Sequence, residues 1–192
     1  MIIAIDFDNT LVDTDALILD YLKKTYIEHK FLDERLGWDY LTYFVNPPSS
    51  PSSENLTNMI WNTSYNSIFH PRKYELRPFV RIFLTQIFKI PDVQLILATQ
   101  NPNPQMVMDA LESLKILRYF SSLQFCIKDK DSVSADYLVD DWPKISNKRN
   151  CKQVLWIMPS WARNKEMLIP KWWKPVDSLE EALEIIEDEN NG

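Results

Sequence analysis

The sequence predicts an α/β protein. Its core is a doubly wound, Rossmann-like, five-stranded parallel sheet, with a small helical cap inserted after the first strand. Three observations carry this. Short, continuously apolar runs, the mark of strands buried on both faces, alternate with stretches of helical periodicity. The first run ends in two aspartates, Asp6 and Asp8. Between Thr10 and Phe79 the alternation stops and no strand pattern occurs.

The predicted strands lie at residues 2–5, 93–98, 123–127, 137–139 and 154–158. Residues 79–89 place apolar side chains at 79, 80, 82, 83, 84, 87 and 88, a helix facing a sheet. Residues 105–117 repeat the pattern with Val107, Met108, Leu111, Leu114 and Leu117. The last helix, 179–186, opens on Ser178 with Glu181 three residues on, a capping box. In the interrupting stretch, residues 15–30 read as a helix with Leu19, Leu22, Tyr26 and Leu36 on one stripe, and 54–69 as another. The Pro/Ser run from Asn46 to Ser53 separates them as a loop. Residues 1–14 and 75–192 are therefore assigned to the core, and 15–74 to the cap.

Composition excludes several classes. With 2 glycines in 192 residues, neither a GxGxxG nor a Walker loop is present, so any phosphate must be held by side chains, a metal and a few amides. A net charge of −6 opposes a nucleic-acid polymer as partner, while a small anion remains compatible where a metal and a lysine reverse the local field. Cys126 and Cys151 lie in or beside apolar runs and read as reduced core thiols. There is no apolar run near 20 residues and no signal pattern, so the expectation is a soluble, cytoplasmic protein without membrane contact. Seven tryptophans are many for this length, enough for some to line a pocket.

Asp6 and Asp8 sit where open α/β sheets bind ligands, beyond the carboxyl end of a strand. Two carboxylates there can hold a hard cation such as Mg²⁺. One can also attack phosphorus while the other handles a proton. Thr10 follows two residues after Asp8. Downstream, Thr99 ends the strand 93–98 and Gln100 follows it; both are candidates to hold substrate. Lys130 lies in the charged run 128–131. Asp140 and Asp141 end the strand 137–139, and adjacent acids there repel unless a cation neutralises them.

This order, Asp-x-Asp-x-Thr, then Thr, then Lys, then Asp-Asp, resembles the four motifs of the haloacid dehalogenase superfamily of phosphatases. The segment from Asp129 to Ile145 is most similar to the 5′(3′)-deoxyribonucleotidases, with register kept from Lys130 to the paired aspartates, and Tyr74-Glu-Leu-Arg-Pro78 resembles that family's return from cap to core. The resemblance implies a Mg²⁺-dependent 5′-nucleotidase acting on (deoxy)nucleoside monophosphates. Asp6 would form an aspartyl-phosphate, and Asp8 would protonate the leaving alcohol and then activate water. Mg²⁺ would be held by Asp6, the Asp8 carbonyl, Asp140 and Asp141. Thr99 and Lys130 would hold phosphoryl oxygens, with Lys130 also restraining Asp6. Related nucleotidases are commonly homodimers, although no residue here marks an interface.

Two departures stand out. The family usually has a second hydroxyl residue directly after the motif-II threonine, and here it is Gln100. The family's lysine on the following helix has no clear counterpart beyond Lys115. The cap aromatics Trp38, Tyr40, Tyr43, Phe44, Trp61 and Phe69 are candidates to stack a base, with Asn62 and Gln100 to read its edge. His29 and His70 read as surface or packing residues. Two alternatives stay open: a phosphatase for another small phosphorylated metabolite, and a related binding domain without turnover.

Overall fold

The computed structural model describes residues 1–62, 68–125, 129–143, 145–146, 148–163, 165 and 167–191. Cys126, Lys128, the end of the strand predicted at 123–127 and part of the helix predicted at 54–69 lie outside them.

The sheet has six parallel strands, where the sequence predicts five. They are β1 (Ile2–Ile5), β2 (Gln94–Thr99), β3 (Ser122–Phe125), β4 (Ala135–Asp140), β5 (Cys151–Ile157) and β6 (Trp173–Val176), in the order β3-β2-β1-β4-β5-β6. The extra strand, β6, pairs with β5 from Val154↔Trp173 to Ile157↔Val176. It lacks a strand signature because it is short, edge-placed and half solvated, and it contains Pro175, which only an edge tolerates. The Trp172-Trp173 pair is the entry to this strand.

The α-helices are α1 (Thr14–Thr25), α2 (Ser53–Asn62), α3 (Val80–Lys89), α4 (Pro104–Ser113) and α5 (Leu179–Asn191). Helix α1 stops earlier than its predicted range 15–30, and Leu36 lies beyond it, 57% exposed, so it does not extend the apolar stripe. The predicted capping box forms in part, with its return bond shifted one residue back. Ser178 Oγ accepts from the Glu181 amide at 3.3 Å, and Glu181 reaches back to the Asp177 amide at 2.8 Å.

Chain order in the sheet reverses at β1, where β2 and β3 lie to one side and β4 to β6 to the other. Right-handed crossovers then place the two halves' connections on opposite faces. One face, carrying Ile3, Ile5, Leu97 and Val139, packs against α1, α3, α4 and α5 through residues such as Leu22, Phe83, Leu111 and Ile186. The opposite face, carrying Ala4, Ala98, Leu138 and Trp156, packs against Val133, Ile145, Trp161, Ala162, Ile169 and Trp172. No described α-helix contributes to that second face. The connections after β4 and β5 cover it with loops and a short 3₁₀ turn (Ser160–Ala162), so bulky indoles fill the layer that helices would occupy. Much of the tryptophan excess therefore serves packing. Cys151 is a free, buried thiol in this layer.

The stretch between β1 and α3 contributes no strand to the sheet among the described residues; it holds α1, a 3₁₀ turn (Tyr40–Tyr43) and α2. His70 caps the 3₁₀ turn Pro71–Lys73 by accepting from the Arg72 amide at 3.2 Å, and the His29 ring packs edge-on against Phe44. No described helix is long and apolar enough to cross a membrane.

Candidate active site

The central strands β2, β1 and β4 are neighbours, so the residues ending them share one crevice at the point where strand order reverses. Asp6 continues β1 by donating its amide to the Val139 carbonyl at 2.9 Å. The chain then turns, with the Leu11 and Val12 amides both returning to the Phe7 carbonyl and Asn9 at a positive φ of 55°. That turn brings Asp8 back beside Asp6 in one cavity of about 570 Å³. Thr99, Lys130, Asp140 and Asp141 line the same cavity, and so does Gln100.

Lys130 is buried and spans two strand ends: its Nζ lies 2.8 Å from Asp6 Oδ1 and also bonds Asp140 Oδ2. Burial alone would push its pKa down, but Asp140 and Asp6 hold it above the ordinary lysine value. Asp140 Oδ1 accepts from the Trp142 amide at 2.8 Å. Burial and the charge of Asp6 raise Asp140 to about 6, against the opposing pull of Lys130. Asp141 is pushed well above the carboxylate range by burial, Asp6 and Asp140. Its peptide group is anchored on both sides: the amide donates to Thr10 Oγ1 at 3.1 Å, and the carbonyl accepts from Trp156 Nε1 at 2.8 Å. Its carboxylate accepts no hydrogen bond among the described residues.

Carboxylate oxygens of Asp6, Asp140 and Asp141 lie within 4.8 Å of one another. Three buried acids converge on a point with one lysine between them, an excess of negative charge that a hard dication suits through its preference for oxygen ligands. The residues present fit such an ion. Asp8 is different. Thr14 Oγ1 donates to its Oδ1 at 2.6 Å and Asn101 Nδ2 to its Oδ2 at 2.9 Å. Burial and Asp6 raise it to about 7 in spite of both bonds. A carboxyl poised near neutrality can give and take a proton at physiological pH.

Thr10 is fully buried with its hydroxyl on the Asp141 amide, so it orients the acidic loop and does not line the cavity. Thr99 Oγ1 accepts from the Asn101 amide at 3.1 Å. Among the aromatics singled out by sequence, Trp38, Tyr40 and Trp61 line the cavity, whereas Tyr43, Phe44 and Phe69 are buried in the main core; Asn62 does not line it. Four contributors carried no sequence signal of their own. Thr14 and Asn101 hold Asp8, although Asn101's position two residues past Thr99 is a cue in retrospect. Trp142 and Arg35 reach the cavity wall from opposite sides of the chain order.

The reversing parallel sheet thus sets an acidic, lysine-braced crevice at its switch point. The model of haloacid dehalogenase-like hydrolases matches residues 3–129, and the chain belongs to that family. No curated protein matches the sequence. Among solved structures the chain is similar to a haloacid dehalogenase-like hydrolase, SP0104, from Streptococcus pneumoniae (TM-score 0.65, 14% identity, 96% of this chain and 97% of that one). It is also similar to a putative beta-phosphoglucomutase from Thermotoga maritima (TM-score 0.57, 15% identity, 97% and 98%). A third similar structure is the putative HAD-hydrolase YfnB from Bacillus subtilis bound to magnesium (TM-score 0.56, 11% identity, 96% and 97%). At these identities the likeness is one of fold.

Proposed function

We propose that this protein is a Mg²⁺-dependent phosphomonoesterase, with (deoxy)nucleoside monophosphates as substrates. The observation that carries the reading is the contrast between the surroundings of Asp6 and of Asp8. Asp6 is held by Lys130 at 2.8 Å and lines the cavity. Asp8 is held by two neutral donors and raised to about 7. The first suits a nucleophile, the second a general acid.

In this mechanism Asp6 attacks phosphorus and forms an aspartyl-phosphate, while Asp8 delivers its proton to the departing ester oxygen. Asp8, now a carboxylate, takes a proton from the incoming water, which releases phosphate and restores Asp6. Lys130 keeps Asp6 oriented and stabilises charge on the phosphoryl oxygens. Asp6, Asp140 and Asp141 would hold Mg²⁺, which supplies Lewis-acid shielding that lets a carboxylate approach a phosphate dianion. The magnesium bound to the similar hydrolase YfnB supports that assignment.

The nucleotide reading is supported by the segment around Lys130 and Asp140 that resembles the deoxyribonucleotidases, and by flat side chains (Trp38, Tyr40, Trp61, Trp142) on the cavity wall. Residues 15–74 would then act as the cap that supplies specificity. A second reading, a phosphorylated sugar, is favoured by the polar groups of Ser53, Thr57 and Asp39 on the same wall. The test is phosphate release with Mg²⁺ from a panel of nucleoside monophosphates and sugar phosphates, beside Asp6→Asn. Release from nucleotides, absent in Asp6→Asn, is expected. Release from sugar phosphates only would favour the second reading. Equal activity in Asp6→Asn would overturn both.

A further inference from the structure

We propose that Arg35 is a substrate-binding residue: from the inserted stretch it supplies the second cation that grips the phosphoryl group, alongside Lys130. The proposal rests on the phosphomonoesterase reading above. Among the described residues lining the cavity, Arg35 and Lys130 are the two cations. Lys130 is already engaged by Asp6 and Asp140. A phosphate dianion entering beside these carboxylates needs further positive charge.

Arg35 is 5% exposed, yet its donors are not used up. Nε is paired with Asp15 at 2.7 Å, Nη1 reaches the Trp38 carbonyl only at 3.4 Å, and Nη2 has no acceptor among the described residues. A guanidinium has five N–H donors, so Arg35 keeps donors to offer a ligand in the cavity it lines. Its fork matches phosphate oxygens. The group is also pre-set in orientation. Its central carbon lies 5.4 Å from the Trp38 ring centroid and 5.5 Å from that of Tyr40. Asp15, which holds Nε, accepts in turn from Asn9 Nδ2 at 3.0 Å, so Arg35 is registered to the loop that carries Asp6 and Asp8.

The test uses orthophosphate as probe on the full-length protein with Mg²⁺, read by titration calorimetry and by competitive inhibition of phosphomonoester hydrolysis. Arg35→Met is expected to weaken orthophosphate binding about tenfold or more, and Arg35→Lys to recover part of that loss, since it keeps the charge without the fork. Arg35→Gln, which keeps polarity and drops the charge, takes the place of Arg35→Met if the latter does not fold. Orthophosphate binding within about twofold of wild type in a folded Met or Gln variant, beside normal wild-type phosphatase activity, would overturn this proposal alone. Wild-type protein that neither binds orthophosphate nor cleaves any phosphomonoester would overturn the phosphatase reading and this one with it.

Discussion

Trp38 lies flat on Trp142, with ring centroids 4.6 Å apart and planes 16° from parallel. Trp38 belongs to the stretch inserted after β1, and Trp142 directly follows the acidic pair, where its amide bonds Asp140 Oδ1. Trp161 closes the group edge-on against Trp38, with centroids 4.8 Å apart. One stack thus joins the aromatic wall of the cavity to its carboxylate cluster.

Trp38 supports Trp142 on the cavity wall, so Trp38→Ala is expected to raise KM for a nucleoside monophosphate roughly tenfold, the order of a lost base–aromatic contact. KM for a small alkyl phosphate should change little. Steady-state kinetics on both substrates checks this, and an equal rise for both would assign Trp38 to packing alone.

Asp8→Asn should separate activity from stability. The raised pKa shows that burial disfavours the charged form, so a neutral isostere that still bonds Thr14 costs the fold little. Hydrolysis should fall by roughly 10²–10⁴-fold, the usual worth of general acid–base help. Thermal melting beside kcat measures the two effects, and a large drop in melting temperature would count against the assignment.

The metal-free protein should lose stability as pH rises from about 4 to about 7. Asp8 and Asp140 keep their protons to about 7 and about 6 in the folded state, Asp141 is also raised, and all three ionise near 3.8 when unfolded. In that window the folded state binds more protons than the unfolded one, so the slope of unfolding free energy with pH is negative. Lys130, held above its ordinary value of 10.5, contributes stability that fades only as pH rises through still higher values, outside this range. Melting curves in chelator at both ends of the window check the sign. Added Mg²⁺ should offset the loss most at the upper end, where the carboxylates must be charged.

Lys130→Met should destabilise the fold by about 3–5 kcal/mol, because it leaves Asp6 and Asp140 buried without their cation. Adding Asp140→Asn should recover part of that stability and none of the activity. Denaturant unfolding of the single and double variants measures the recovery.

Strands β1, β2 and β4 were legible because burial on both faces demands an apolar run, as in Ile2–Ile5 and in residues 95–98. Strand β6 was not, because an edge strand needs no such run and Pro175 masks it. Asp6, Asp8, Thr99, Lys130 and the acidic pair were legible as types in an order at strand ends. Thr14, Asn101, Trp142 and Arg35 were not, since what they do depends on which side chain a turn brings within 3 Å or so.

By itself the sequence determined the parallel sheet and the acid-rich ends of its central strands, since both are local patterns of burial and chain direction. The tertiary structure decided that burial and Asp6 raise the Asp8 carboxyl to about 7, while Asp6 lies 2.8 Å from Lys130 Nζ. It also decided that Arg35 and Trp38 reach the same cavity. The physical reason is that desolvation and charge pairing depend on distance in space, and residues 8, 35, 101 and 130 meet only once the chain has folded.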